Sequence, residues 1–187
     1  VSGKKLQAVA SAPGNYSVFT VMKQNTTGAF AIAASIGNNT VATYWTGYIP
    51  DSSGTPYPGA LVVGSDSQND IYTNYVDDTN WHLCEAIFNG THLSGWTSGE
   101  LAIGAGEAAS GNNNGSSTTL KSGDVRLGCY SNDSLFFNGD IAEFILFPSA
   151  ISESKRIQIE NYLKNKYYIP TRIYRGITTP DLDNFLN

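Results

Sequence analysis

The densest group of oxygen-bearing side chains lies in residues 66–78, DSQNDIYTNYVDD. Carboxylate and amide oxygens are the ligands that hard cations such as Ca²⁺ prefer. Asp70, Asn74 and Asp77 are therefore the candidate ligands of a calcium site. A run of this composition is also typical of a solvated turn, and the sequence leaves both interpretations open.

Side chains suited to catalysis are few. His82 and His92 are the only histidines, and the hairpin predicted around them places the two side chains on opposite faces of a sheet. That placement favours neither a shared zinc site nor a Ser-His-Asp triad. Asp140 and Glu143 are the nearest carboxylate pair in a predicted strand, but their odd separation predicts opposite faces. We therefore expect no catalytic residues and predict that the chain is not an enzyme.

Aromatic side chains near predicted loops are the remaining groups with binding chemistry. Aromatic rings stack on the apolar faces of pyranose sugars, while Asn, Asp and Gly groups hydrogen-bond the sugar hydroxyls. The candidates for such a carbohydrate site are Tyr44, Trp45, Tyr48, Tyr57, Tyr72, Tyr75 and Tyr130. Each also has a structural interpretation, because most aromatic residues of a β-sandwich pack in its core.

The composition excludes two classes of partner. The 187 residues carry a net charge of −5, so the chain lacks the concentration of Lys and Arg that nucleic-acid binding needs. No apolar run approaches the roughly 18 residues of a membrane span. Abundant Gly, Ser, Thr and Asn with few charged residues are typical of all-β extracellular or virion-surface domains. We expect such a location, with neither nucleic acid nor membrane insertion.

The two cysteines, Cys84 and Cys129, are too few for a disulfide framework or a cysteine metal site. Free cysteines are among the most buried residue types, so two buried thiols are one interpretation. A single disulfide is the other.

The elements that must position these groups are mostly strands. YSVFTVMK, AFAIAAS and TVATYW are β-branched and aromatic runs separated by Gly, Asn and Thr turns, which predicts an antiparallel sheet. Asn89-Gly90 between two alternating runs predicts a hairpin with a two-residue turn, in which Leu83 lies opposite Trp96. Together with DVRLGCYS and DIAEFILF, these runs predict about eight strands.

One helix is predicted after the last strand. Ser152 is a suitable N-cap, Glu153 lies in the first turn, and Pro170 ends the segment. An apolar stripe at helical spacing indicates that the helix lies on the sandwich. The stripe consists of Ile159, Tyr162, Leu163 and Tyr167.

Residues 139–169, GDIAEFILFPSAISESKRIQIENYLKNKYYI, resemble the C-terminal signature of concanavalin A-like (laminin G-like) jelly-roll domains. In that family a G-x-I-A-E strand precedes a helix that begins A-[LI]-S-x-x-[EK]-R and finishes YL-x-x-KY. YSVFTVMK resembles an early strand of the family, and NWHLCEAIFNGTHLSGWTSGE resembles its WH…G…G hairpin. The resemblance covers residues 16–169. It implies an all-β, concanavalin A-like jelly-roll β-sandwich with one C-terminal amphipathic helix, assigned to residues 1–169.

The resemblance also bears on activity and ligands. Some members of the superfamily hydrolyse β-glucans with an E-x-D-x-x-E strand, but none of the glutamates here has an acidic residue two positions later. Legume-type members bind Ca²⁺ through Asp and Asn in a loop, although their exact motif is missing from this chain. The region before YSVFTVMK is shorter than in the family, so we expect a strand from an upstream segment or a neighbouring chain.

The resemblance implies a non-catalytic, lectin-like module that contributes to glycan recognition or attachment on a virion or cell surface. The alternative is a structural module that assembles a capsid, tail or fibre without a sugar ligand. Residues 170–187 lie outside the family pattern and carry too many large apolar residues for a free linker. We expect this tail to serve for docking or linkage by packing on the sandwich of its own chain or of a neighbour, and to make intermolecular or inter-domain contacts with Tyr174 and Phe185 as its main anchors.

Overall fold

The computed structural model describes residues 6–10, 15–37, 42–48, 61–64, 71–72, 78–90, 93–97, 100–101 and 123–170. Within these residues the strands are β1 (Leu6–Ala10), β2 (Tyr16–Gln24), β3 (Ala31–Gly37), β4 (Ala42–Tyr48), β5 (Leu61–Gly64), β6 (Ile71–Tyr72), β7 (His82–Phe88), β8 (Leu93–Thr97), β9 (Glu100–Leu101), β10 (Gly123–Leu127) and β11 (Gly139–Phe147). The helix α1 (Glu153–Tyr167) follows them.

The strands form two antiparallel sheets that face each other. One sheet has the order β1-β10-β3-β4-β5-β6, and the other has the order β11-β2-β7-β8-β9. Val18 and Met22 of one sheet meet Ile36 and Tyr44 of the other in a shared apolar core. The predicted β-sandwich with a C-terminal helix is confirmed.

β2 is buried on both of its faces, which explains its nearly continuous apolar sequence. Val18 points into the core between the sheets. Phe19 points the other way, into a second apolar cluster with Leu163 of α1. The helix therefore covers the outer face of this sheet, as predicted.

The predicted N-cap of α1 is confirmed, and the helix ends at Tyr167, three residues before Pro170. The Ser152 hydroxyl accepts a hydrogen bond from the Lys155 backbone N–H at 3.3 Å. At the other end Tyr168 adopts a left-handed conformation with a φ of 53°, and the Ile169 N–H donates to the Lys164 carbonyl at 3.0 Å. No helix in the described part of the chain is long and apolar enough to cross a membrane.

The face that α1 turns to the sheet includes three of the four residues of the predicted apolar stripe. Leu163 is fully buried, and Ile159 and Tyr167 pack against the same cluster, whereas Tyr162 is 54% exposed. Arg156, Glu160 and Lys164 are also buried, at spacings of four residues. The helix therefore joins the sheet through charged groups as well as through apolar contacts.

The β7–β8 hairpin has a longer loop than Asn89-Gly90 predicted. Phe88 pairs with Leu93, so residues 89–92 connect the strands, and Trp96 pairs with Glu85 rather than with Leu83. The predicted register is therefore wrong by two positions. Leu83 and Trp96 still share a face, because a shift of two residues preserves the two-residue period of a strand.

Candidate functional site

Two loops lie side by side where β2 is joined to β3 and β10 is joined to β11. The Asn25 N–H donates to the Asn138 carbonyl at 2.8 Å, and the Ile32 N–H donates to the Leu135 carbonyl at 2.9 Å. The segments containing these residues are thus fixed to each other at both ends. We call the exposed face of residues 25–30 and 130–138 the two-loop surface.

The second of these loops is held in an unusual backbone conformation. Asp133 and Leu135 have φ values of 61° and 52°. Residues other than glycine adopt this left-handed conformation at a steric cost. Internal hydrogen bonds hold the turn, from the Asp133 N–H to the Tyr130 carbonyl at 3.0 Å and from the Tyr130 N–H to the Ser134 carbonyl at 2.9 Å. Such conformations persist only where the surrounding structure enforces them, and they cluster at ligand sites.

Aromatic rings are exposed on the two-loop surface. Phe30 is 41% exposed and Phe136 is 42% exposed. Trp45 of β4 is buried and supports Phe30, with ring centroids 6.0 Å apart. Phe137 turns to the opposite side and stacks on Tyr48, with ring centroids 6.2 Å apart. Its neighbour Phe136 is thereby directed outward.

The same two loops carry amides and hydroxyls. The Asn138 side-chain amide donates to the Thr26 hydroxyl at 3.2 Å, and both side chains are exposed. The Ser134 hydroxyl donates to the Asn132 side-chain oxygen. Exposed apolar rings next to amides and hydroxyls can stack on the apolar face of a sugar while hydrogen-bonding its hydroxyls.

Tyr44 and Tyr48 do not lie on a binding surface. Both are fully buried, because their strand positions point between the sheets. Tyr44 contacts the ring of Tyr16, with centroids 6.3 Å apart, and lies 3.3 Å from the Thr20 hydroxyl. Neither ring can stack on a ligand, which corrects the sequence-based interpretation. Trp45 is also buried, and its role is to support Phe30.

The other predicted binding residues fall in different places. Tyr130 is half-buried on the two-loop surface. Tyr72 belongs to β6, but its side chain lies outside the described part of the chain. The remaining predicted residues lie outside the described residues and stay predictions: Tyr57 and Tyr75 for a sugar, Asp70, Asn74 and Asp77 for calcium, and Tyr174 and Phe185 for assembly. The described residues contain no group of three His, Cys, Asp or Glu side chains that could hold a metal.

Asp140 and Glu143 lie on the same face of β11, contrary to the prediction. The register shifts between Ile141 and Glu143, so Asp140 pairs with Lys23 and Glu143 pairs with Val21. The bulge adds one residue to β11, so side chains three positions apart point to the same face of the sheet.

Both carboxylates hold structural contacts. Asp140 forms an ion pair with Lys23 at 3.3 Å. The Glu143 carboxylate accepts from the Lys166 ammonium and from the Tyr167 hydroxyl, each at 2.8 Å. These hydrogen bonds hold the pKa of Glu143 below its usual range. A carboxylate in this environment is a poor general acid.

His82 is buried and lies with Nε2 2.7 Å from Oδ1 of Asp78. Partial burial raises the pKa of Asp78, but hydrogen bonds from His82 and Asn80 outweigh that effect and hold the pKa well below its usual range. This contact links Asp78, in the segment before β7, to the first residue of that strand. His92 lies outside the described residues.

The sequence did not identify Phe30 and Phe136 as candidate binding residues. The signal for Phe136 is the pair Phe136-Phe137 beside the start of β11, since adjacent residues of an extended segment point in opposite directions and only one can enter the core. Phe30 carries no comparable signal. Its exposure depends on packing against Trp45, a tertiary contact.

Comparisons with known proteins identify the fold. No protein-family model matches the sequence, and no curated protein matches it. The structure is similar to a SAP-like pentraxin from Limulus polyphemus, with a TM-score of 0.56 at 13% identity over 79% of this chain and 71% of the pentraxin.

Two further similar structures come from bacterial proteins. One is domain 4 of AbnA, a GH43 extracellular arabinanase from Geobacillus stearothermophilus, in complex with arabinotriose; its TM-score is 0.59 at 15% identity over 84% of this chain and 72% of that domain. The other is CBM40 of the Ruminococcus gnavus IT-sialidase, with a TM-score of 0.52 at 14% identity over 83% of this chain and 98% of that module. All three are concanavalin A-like jelly rolls. The chain therefore has the concanavalin A-like jelly-roll fold, as the sequence resemblance implied.

Proposed function

We propose that the chain is a non-catalytic carbohydrate-binding module and that its glycan binds on the two-loop surface. The exposed rings of Phe30 and Phe136, on the same two loops as the exposed polar groups of Thr26 and Asn138, are the observation that carries this proposal. The fixed backbone of residues 130–138 lowers the entropy lost on binding, because the polar groups are already in place.

Two of the similar structures support the class of ligand. The AbnA domain was obtained with arabinotriose bound, and the sialidase module is a CBM40 domain. A shared fold does not transfer a ligand, so the support comes from agreement between the fold and the groups on the two-loop surface.

The composition of the two loops favours a neutral glycan. Residues 25–30 and 130–138 contain neither Lys nor Arg, the residues that pair with the carboxylate of an acidic sugar. Asp133, the acidic residue of the second loop, lies 3.4 Å from Arg126 of β10. Recognition therefore depends on ring stacking and on hydrogen bonds between neutral groups.

The proposed setting is extracellular, on a cell or virion surface, where the module contributes to glycan recognition or attachment. The low fraction of charged residues and the abundance of Gly, Ser, Thr and Asn support this setting. The proposed calcium ligands Asp70, Asn74 and Asp77 belong to the same hypothesis, and Ca²⁺-dependent binding would support them.

A glycan array probed with the 187-residue chain tests the proposal. We expect binding to neutral oligosaccharides that falls about tenfold in Phe30→Ala and in Phe136→Ala, because the burial of one aromatic ring contributes roughly 1–2 kcal/mol. Tyr162→Ala, which removes an exposed ring from α1, is the matched control and should bind normally. Glycan binding that survives the double substitution of Phe30 and Phe136 would refute this site. A chain that binds no glycan would refute the function.

A structural assembly module is the second candidate function. The observation that favours it is the apolar edge of β11, along whose outer side no strand of the described residues pairs. Assembly through this edge would not require the two-loop surface, so the substitutions of Phe30 and Phe136 distinguish the two functions.

A further inference from the structure

β11 is an open edge in the described part of the structure. Eight of its nine residues pair with β2 along one side, and no described strand pairs along the other. Its side chains are half-buried or exposed throughout, whereas those of the neighbouring β2 are almost all buried. A strand added beside β11 would bury the residues of β11 further, as those of β2 are already buried.

The C-terminal half of this edge lacks the usual protection against pairing. Native edge strands are blunted by charges, prolines or bulges. In β11 the charges and the bulge are confined to residues 140–143. Residues 144–147, FILF, offer only apolar side chains: Phe144 and Leu146 contact the core, and Ile145 and Phe147 contact the cluster beneath α1.

The two sheets are also separated on this side of the sandwich. Among the described strands, β1 is the edge of the opposite sheet. Leu6 of β1 and Leu127 of β10 line a cleft of about 760 Å³ together with Ile141 and Phe144 of β11. Leu127, Ile141 and Phe144 also pack against the apolar core, so an occupant needs apolar side chains as well as a backbone able to pair with β11.

We propose that the tail of the same chain, residues 171–187, supplies this strand. The chain leaves α1 close to β11, because Tyr167 donates to the Glu143 carboxylate at 2.8 Å. Ile169 packs in the cluster that contains Val21 and Leu83. Glu143, Val21 and Leu83 are consecutive partners across β11, β2 and β7, so the tail starts within about two strand spacings of the open edge.

The tail has the length and the composition to pair there. Two strand spacings are about 10 Å, and an extended residue spans roughly 3.3 Å. Three or four residues after Pro170 therefore suffice to reach the edge, which assigns residues 173–177, IYRGI, to the added strand. Ile173, Tyr174 and Ile177 are residue types that favour strands. Arg175 supplies the charge that protects a new edge.

Hydrogen exchange in the 187-residue chain tests this pairing. In an antiparallel strand alternate amides point to opposite neighbours, so half of the amides in residues 144–147 bond to β2 and the others point to the open side. We expect the outward amides to exchange at least about a hundredfold more slowly than unprotected amides, as they do in paired strands. The protection should not depend on protein concentration.

Proline substitutions identify the strand that gives the protection. Ile173→Pro and Ile177→Pro remove a backbone donor and oppose strand pairing, so the outward amides should lose their protection while the inward amides keep theirs. Asn184→Pro, beyond the assigned strand, is the control and should leave both sets protected.

Three results would overturn the proposal. Fast exchange of the outward amides in the unsubstituted chain would show that the edge is open. Protection that persists in both proline variants would assign the edge to a different segment, and protection that disappears on dilution would assign it to a second copy. The first and third results are measured on the unsubstituted chain. They can therefore refute the proposal even if the proline variants fail to fold. Glycan binding is not needed for any of these outcomes.

Discussion

Arg156 of α1 forms a buried ion pair with Glu85 of β7, with Nη1 2.9 Å from Oε2. The Glu85 side chain is completely buried, and the Arg156 side chain is 5% exposed. The same guanidinium bonds to Glu153 and Glu160 and lies 4.3 Å from the ring centre of Trp96. This network fixes the helix on the sheet that contains β2 and β11.

Burial dominates the titration of Glu85. It raises the pKa of this carboxyl to about 8, although the charge and hydrogen bond of Arg156 act to lower it. Oε1 of Glu85 has no hydrogen-bond partner among the described residues. Burial lowers the pKa of Arg156, but its hydrogen bonds and ion pairs with Glu153 and Glu85 outweigh that effect and raise it. The guanidinium therefore stays charged.

Replacing Arg156 by Met should destabilise the fold. Above pH 8, where Glu85 is ionised, the substitution leaves its charge buried without a partner, and the loss of one member of a buried pair costs on the order of 3 kcal/mol. The free energy of unfolding in urea is the measurement. Glu153→Gln is the control, because Glu153 is 60% exposed and an exposed pair contributes under about 1 kcal/mol. A loss for Arg156→Met no larger than the control's would contradict the role of the network.

The stability of the chain should depend on pH through Glu85. Its pKa is about 8 in the fold and near 4.5 when it is exposed. The folded state therefore binds more protons between these values, and the stability that Glu85 contributes is full below pH 4.5 and is lost as the pH rises to 8. Glu143 and Glu153, whose pKa values are lowered, act in the opposite direction and at lower pH.

Urea unfolding across that pH range, compared with Glu85→Gln, isolates this effect. The unfolding free energy of the unsubstituted chain, measured relative to Glu85→Gln, should fall by a few kcal/mol, since one pKa unit corresponds to about 1.4 kcal/mol. A difference that stays constant or grows with pH would contradict the direction of the shift.

Gly47→Ala should weaken the pairing of β3 with β4. A Cβ at position 47 would collide with the Ala31 carbonyl oxygen and lie 2.9 Å from the Ile32 Cα, both of which are backbone atoms. Overpacking against atoms that cannot rotate away costs about 2–3 kcal/mol. Thermal and urea unfolding measure the loss.

Gly28→Ala is the comparison for Gly47. A Cβ at position 28 meets no atom within 4 Å, but the φ of 82° disfavours a side chain, so we expect a loss of about 1 kcal/mol. Equal losses at the two positions would show that the β3–β4 contact does not limit the space at Gly47.

The fold was readable from the sequence because its signals are local. The strand runs, the Ser152 cap and the proline after α1 each depend on residues within a few positions of one another, and together they match an ordered family pattern. The predictions of the hairpin register and of the face of Glu143 were wrong because a longer loop and a bulge depend on how neighbouring strands meet. A two-residue period carries no information on either feature.

The candidate site was harder to predict. Tyr44 and Tyr130 both lie near predicted turns in the sequence, yet one is fully buried and the other lies on the two-loop surface. Their difference comes from which face of a sheet each position occupies in the assembled sandwich. The charged face of α1 was missed for a related reason: Arg156 is buried only because Glu85, 71 positions away in the sequence, lies opposite it.

The two cysteines should resist thiol reagents in the folded chain. Cys84 and Cys129 are both buried thiols, and burial raises the pKa of Cys84 to about 12. Because the thiolate is the reactive species, iodoacetamide should label neither residue in the native protein but both in concentrated urea, as read by peptide mass spectrometry. Lys155→Cys places a thiol at an exposed position of α1 and should react in the native state. Rapid native labelling of Cys84 would contradict its burial, and an intact mass two hydrogens too low would show a disulfide in place of free thiols.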